Sequence, residues 1–174
     1  YPAQTWRDFD SWAGGSSFGG SHGGMGGVYT DASVANPVYG LLYDPDTPGA
    51  GGSGGAGGGV VRLDISGTLT LHGEINAGGQ FQAGGGAGGS VSIRADIITG
   101  DGVITAHGGG QSNQYGAGSG GRVALLDYTL LAGAFGMDHV GSDAFGVDAS
   151  GGNGHGCTDG AAGTVFLRPS GADL

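Results

Sequence analysis

The chain contains no lysine. Its cationic side chains are five arginines, Arg7, Arg62, Arg94, Arg122 and Arg168, against 15 acidic residues, for a net charge of -10. Nucleic-acid binding needs basic surface that releases counterions, so this balance argues against it. It equally disfavours an anionic membrane surface. Without lysine there is no Schiff base and no phosphate-cradling Gly-x-x-x-x-Gly-Lys-Ser/Thr loop. Glutamate is nearly absent too, since only Glu74 occurs. The single cysteine, Cys157, cannot form an internal bridge; it is either an unpaired, buried thiol or one half of an intermolecular disulfide. No apolar run approaches the roughly 18 residues of a membrane span, so membrane insertion is not expected. No signal peptide is visible, and a start at Tyr1 rather than Met reads as a processed or trimmed chain.

Glycine is what the chain has in excess: 46 of 174 residues. A usual share is roughly 7%. There is no strict Gly-X-Y period and proline numbers only five, which argues against a collagen. Ordering glycine costs more backbone entropy than ordering any other residue. Such tracts are therefore expected to be held between packed neighbouring segments.

Two motifs recur. The first, Gly-Gly-x-Val-x-(Leu/Ile), places Val61, Val91 and Val123 in the same role, and a weaker copy adds Val165. The second, an apolar residue then x-Ala, occurs at Ile75–Ala77, Ile104–Ala106 and Val147–Ala149. Both spacings lengthen together in the third unit, which places an insertion near 130–144. Within units the pattern has period 2. Leu63, Ile65, Leu69 and Leu71 alternate with polar residues, interrupted at Ser66-Gly67, as do Val91 and Ile93. That is the signature of strands with one buried face. No window supports a long amphipathic helix.

The fold expected from these patterns is all-β, a glycine-rich parallel β-solenoid (β-helix) of about four coils with an N-terminal cap. It is read as a single domain over 1–174. Residues 1–13 form an aromatic segment, 14–59 a Gly-rich lead-in, and 60–174 the repeat coils. The valines would form one inward ladder, and Ile75, Ile104 and Val147 another. Asp64, Asp96 and Asp127 follow strand starts and could stack as an acidic ladder on one outer face. Trp6, Phe9 and Trp12 cap the end of the core or dock a neighbouring subunit.

The run Gly20-Ser21-His22-Gly23-Gly24-Met25-Gly26-Gly27, then Tyr39-Gly40, Pro48 and Gly52-Ser53-Gly54-Gly55, resembles the opening of glycine-rich repeat regions in large predicted secreted or surface proteins of protists and bacteria. The Gly-Gly-x-Val-x-Ile and Ile-x-Ala-x-Gly-Gly units look like the repeats that follow it there. The resemblance runs from about Gly14 to Val123. It implies a β-helical fold and an extracellular, surface or matrix location, and it implies no defined chemistry. The third unit, with its insertion, departs from the pattern.

Candidate chemistry is thin. His22 reads as a structural hydrogen-bonding residue before it reads as a ligand. His155, Cys157 and Asp159 match no zinc spacing. Gly151–Gly156 starts like a calcium β-roll repeat but has Gly where Asp is required. Asp44-x-Asp46 starts like an EF-hand loop, yet Pro45 and Pro48 intrude. No catalytic, cofactor or metal residue is assigned; scattered aspartates leave room only for adventitious calcium. The expected function is an extracellular structural protein that self-assembles into a filament or matrix, without catalysis. Its contacts would come from Trp6, Phe9 and Trp12 at one end and Val165, Phe166 and Leu167 at the other. The alternative is an adhesin or carbohydrate-binding surface module, with glycans as partners and an aromatic platform in a groove as its mark.

Overall fold

The computed structural model describes residues 18–29, 35–111, 115–136 and 146–172. Eight strands are present among the described residues: β1 (Val60–Leu71), β2 (Glu74–Asn76), β3 (Ser90–Gly100), β4 (Val103–Thr105), β5 (Arg122–Tyr128), β6 (Leu130–Leu131), β7 (Val147–Asp148) and β8 (Thr164–Pro169). They form two sheets, and all their pairings are parallel. The larger sheet runs β1-β3-β5-β8, with β6 also on β3; the smaller runs β2-β4-β7. No α-helix occurs among the described residues, only a 3-10 turn at Gly133–Phe135.

The valine register is as the alternation predicts. Val61 pairs with Val91, Val91 with Val123, and Val123 with Val165. Ile75, Ile104 and Val147 align likewise in the smaller sheet. Side chains of both sheets meet in one core containing Val91, Ile93, Ile98, Ile104, Val123, Leu125, Leu131 and Phe135. Phe135, from the 3-10 turn, is fully buried. Burying a side chain of that size contributes roughly 2–3 kcal/mol.

The expectation of a parallel β-solenoid (β-helix) of about four coils is not met. Strands of the larger sheet have 12, 11, 7 and 6 residues, and those of the smaller have 3, 3 and 2. β6 adds two residues to the larger sheet, and the rest of the described repeating region contains no strand. The physical reason lies in the glycines, which form antiparallel arms rather than tight corners. Gly49 N–H bonds the Gly58 carbonyl and Gly52 the Gly55 carbonyl. The same pattern joins Gly89 to Ala77 and Gly86 to Gln80, Gly121 to Ala106 and Gly118 to Gly109, and Gly163 to Ala149 and Gly160 to Gly152. In each arm the bonded residues lie three apart. A β-ladder would repeat every two, whereas polyproline II has three residues per turn. Arms of successive hairpins bond each other with the same period, as in Gly55 to Gly84 and Gly58 to Ala87, or Gly85 to Gly116 and Gly88 to Ser119.

The molecule is therefore two unequal parallel sheets against a slab of polyproline-II-like glycine hairpins. A first hairpin, closed by Gly19 to Gly27 and His22 to Gly24, lies across the arms through Gly20 to Gly85 and Gly23 to Gly120. The expected cap at Trp6, Phe9 and Trp12 lies outside the described residues.

Backbones in the slab approach too closely for a Cβ. At Gly118 a Cβ would fall inside the envelope of the Gly86 carbonyl oxygen, which is backbone and cannot rotate away. Gly59, just before β1, has open space and no positive φ. Gly118→Ala is expected to cost about 3 kcal/mol or more, as overpacking does. Gly59→Ala should be neutral or stabilising by up to about 1 kcal/mol. Denaturant midpoints of the two variants check the contrast.

Candidate functional site

A strap of irregular chain, residues 35–48, bends at Gly40 and at 42–44 and crosses the outer face of the larger sheet. Pro37, Pro45 and Pro48 favour that geometry. The outward positions of β3 and β5 carry Ser and Arg, and these meet the strap. Ser90 Oγ donates to the Thr47 carbonyl at 2.6 Å, and Ser92 Oγ to Asp44 at 3.1 Å. Arg122 donates through Nε and Nη2 to the Tyr39 carbonyl at 3.0 and 2.8 Å. Both faces of Ser90–Ile93 in β3 and of Arg122–Leu126 in β5 are thereby buried, as is usual for parallel sheets.

His22 locks strap, slab and sheet together. It is fully buried, with Nδ1 2.7 Å from the Gly88 carbonyl and Nε2 3.1 Å from the Thr47 hydroxyl. The carbonyl can only accept, so Nδ1 carries the proton and Nε2 accepts from Thr47. Its own N–H donates to Ser119 Oγ at 3.0 Å, and its ring lies 4.8 Å from that of Tyr39. Burial, assisted by the Arg122 charge, lowers its pKa to about 4 against the opposing pull of the Gly88 carbonyl. Burial likewise pushes the Tyr39 phenol upwards, and its hydroxyl donates to the Pro48 carbonyl at 2.6 Å. His22 is thus a neutral structural histidine.

Charges alternate across the outer face. Arg62 contacts Asp44 at 2.7 Å, Asp44 contacts Arg94 at 3.4 Å, Arg94 contacts Asp127 at 3.4 Å, and Asp127 contacts Arg168 at 2.7 Å. Partial burial alone would raise the Asp44 carboxyl, but Arg62, Ser92 and Arg94 outweigh it and hold the carboxyl below its ordinary range. Asp127 has a φ of 59° at the point where the β5–β8 register shifts. That turn brings its carboxylate between two arginines. The acidic ladder of Asp64, Asp96 and Asp127 does not form: Asp64 pairs in register with Arg94, and Asp127 is flanked by arginine.

Of the anticipated contact residues, Val165, Phe166 and Leu167 lie on β8, at one edge of the larger sheet. Val165 is 40% exposed, and Leu167 packs against the core from its open end. Phe166 points the other way, edge-on to Tyr43 with centroids 5.0 Å apart. Trp6, Phe9 and Trp12 lie outside the described residues. The opposite edge was not singled out from sequence. It is β1, whose core-facing Val61, Leu63, Ile65, Leu69 and Leu71 are only partly buried. Their alternation was visible, but nothing in it marks an edge.

A groove of about 670 Å³ opens beside the slab, lined by Phe81, His107, Gln111, Asp148, Asn153 and His155 among others. Phe81 is 61% exposed. Asp159 caps the turn at Gly154 through a 2.7 Å bond, so it closes its loop instead of joining His155 and Cys157 as a ligand. Cys157 is free and half-buried. No group of three or more His, Cys, Asp or Glu among the described residues is placed to hold a metal ion. No described helix is long and apolar enough to cross a membrane. No family model, curated protein or solved structure matches the chain.

The buried neutral His22 makes stability pH-dependent. Unfolded, it takes up a proton near pH 6.5; folded, only near pH 4. Its contribution is therefore complete above pH 6.5 and falls away as pH drops to about 4, by roughly 3 kcal/mol at most. His22→Gln should flatten this slope in denaturant midpoints recorded between pH 7 and pH 4. An unchanged slope would show that other groups carry it.

Proposed function

We propose that the chain is an extracellular, non-catalytic structural module that associates head to tail with copies of itself. The observation carrying this reading is a pair of strand edges that no described residue pairs with. β1 and β8 end the same parallel sheet, and β2 and β7 end the other. An unpaired strand edge is a template for another chain. Because the two edges differ, a contact joining them is heterologous and need not close, which builds a filament. The resemblance to glycine-rich surface proteins supports the extracellular setting. Sedimentation velocity with negative-stain electron microscopy tests the reading. The expected result is a particle mass rising with concentration above the 16.7 kDa chain. Leu63→Lys on β1, or Val165→Lys on β8, should return it to the monomer. A wild-type chain that stays monomeric at every attainable concentration overturns the reading.

A second reading, a carbohydrate-binding module, is favoured by one observation. The exposed Phe81 ring stands in a groove with amide, imidazole and carboxylate side chains and a floor of glycine main chain. An aromatic face with planar polar neighbours suits a neutral sugar. On this reading a glycan array shows binding by the monomer, and Phe81→Ala weakens it at least about tenfold, the order of one lost aromatic anchor. Absence of binding on the array removes this reading and leaves the first untouched.

A further inference from the structure

The open edges define which residues would meet in the contact, and the inference below rests on the assembly reading above. Paired residues of the larger sheet form columns. Val61, Val91, Val123 and Val165 are one, and Leu63, Ile93, Leu125 and Leu167 another. Arg62, Ser92, Ala124 and Phe166 form a third, and Asp64, Arg94, Leu126 and Arg168 a fourth. The glycine arms advance in step, since Gly58 bonds Ala87, Gly88 bonds Ser119 and Gly120 bonds Ala161. Every layer thus stacks in one parallel sense and ends at the same two faces.

We infer that the β8 edge of one copy receives the β1 edge of the next in this same parallel register, so that Arg168 faces Asp64 of the incoming copy. The columns then continue with matched chemistry. Val165 meets Val61 and Leu167 meets Leu63, which closes the half-open ends of the core. Phe166 meets Arg62, an aromatic–guanidinium pair. Arg168 meets Asp64, which is exposed and makes no ion pair among the described residues. The chain of alternating charge that ends at Arg168 would pass to the next copy. A one-residue slip would set Val165 and Leu167 against Arg62 and Asp64, and the core-facing side chains against the outward ones. An isologous pairing of β1 with β1 would leave Asp64 without an arginine partner from the next copy.

The test is a charge exchange read by sedimentation velocity. Asp64→Arg alone and Arg168→Glu alone should each weaken association roughly tenfold or more, as like charges meet across the contact. An equimolar mixture should recover it. In the mixed contact the two substituted side chains face each other with opposite charge, exchanged in position, and the next contact along the filament is the native pair. Thr70→Arg, outward on β1 but beyond the length of β8, should assemble as the wild type does. Arg168→Gln serves if Arg168→Glu fails to fold beside Asp127; it should weaken association without recovery by the Asp64→Arg partner. Assembly that ignores both charge variants overturns this register and leaves head-to-tail association standing. A monomeric wild type overturns both.

Discussion

Everything in this molecule depends on how closely glycine main chains can pack. The smaller sheet has strands of three, three and two residues, too short to hold a layer by themselves. The larger sheet is firm in its middle and half-open at its ends. Between them, the chain returns through glycine arms whose carbonyls and N–H groups bond neighbouring arms every third residue. That period belongs to polyproline II, which makes no hydrogen bonds of its own and so offers every backbone group to neighbours. The entropy lost in ordering glycine is large. It is offset because so many groups are satisfied at once, and a Cβ at the close approaches would prevent it.

His22 is where this slab is joined to the rest. One imidazole bonds a slab carbonyl at Gly88 and a strap hydroxyl at Thr47, while its main-chain N–H reaches Ser119 in another glycine arm. The strap in turn satisfies the outward Ser90, Ser92 and Arg122 of the sheet. Removing the imidazole would leave its two partners, the Gly88 carbonyl and the Thr47 hydroxyl, without it, and each such buried loss costs about 1–3 kcal/mol. The ion pairs from Arg62 to Arg168 are more exposed and individually worth little. Their role is alignment, since they link β1, the strap, β3, the β5 bulge and β8 in a fixed order.

Much of the strand layout was legible in the sequence, because side-chain alternation is a signal that residues carry themselves. Val61, Val91, Val123 and Val165 line up as their motif implies. The fold class is not legible in the glycine runs, because they carry no alternation. Nothing in Gly84–Gly89 or Gly116–Gly121 distinguishes a corner from an arm bonded every third residue. The break at Ser66-Gly67 misled differently. The strand runs through it as a register shift, with Gly67 at a φ of 106°. Asp127 looked like part of an acidic face, yet its positive φ turns it between arginines. Of the anticipated contact residues, Val165–Leu167 lie on β8, the last strand of the larger sheet. The His22–Thr47 bond and the Phe81 groove join segments far apart in sequence, so no local pattern announces them.

Natural sheets usually defend an open edge with lysine, proline or a twist away from partners. This chain has no lysine to place there. On β1, Arg62 is committed to Asp44, and the other outward residues are Val60, Asp64, Ser66, Thr68 and Thr70. On β8, the proline comes only at the strand's last residue, after Val165 and Leu167 have presented their side chains. Interior strands bury both faces over Ser90–Ile93 of β3 and Arg122–Leu126 of β5, while β1 and β8 each lack a neighbour on one side among the described residues. Completing either edge would therefore need only the parallel pairing, apolar columns and charge alternation that already join the strands within one chain. That continuity makes the proposed association a physical extension of the fold, repeating at its two ends the contacts that join its interior strands.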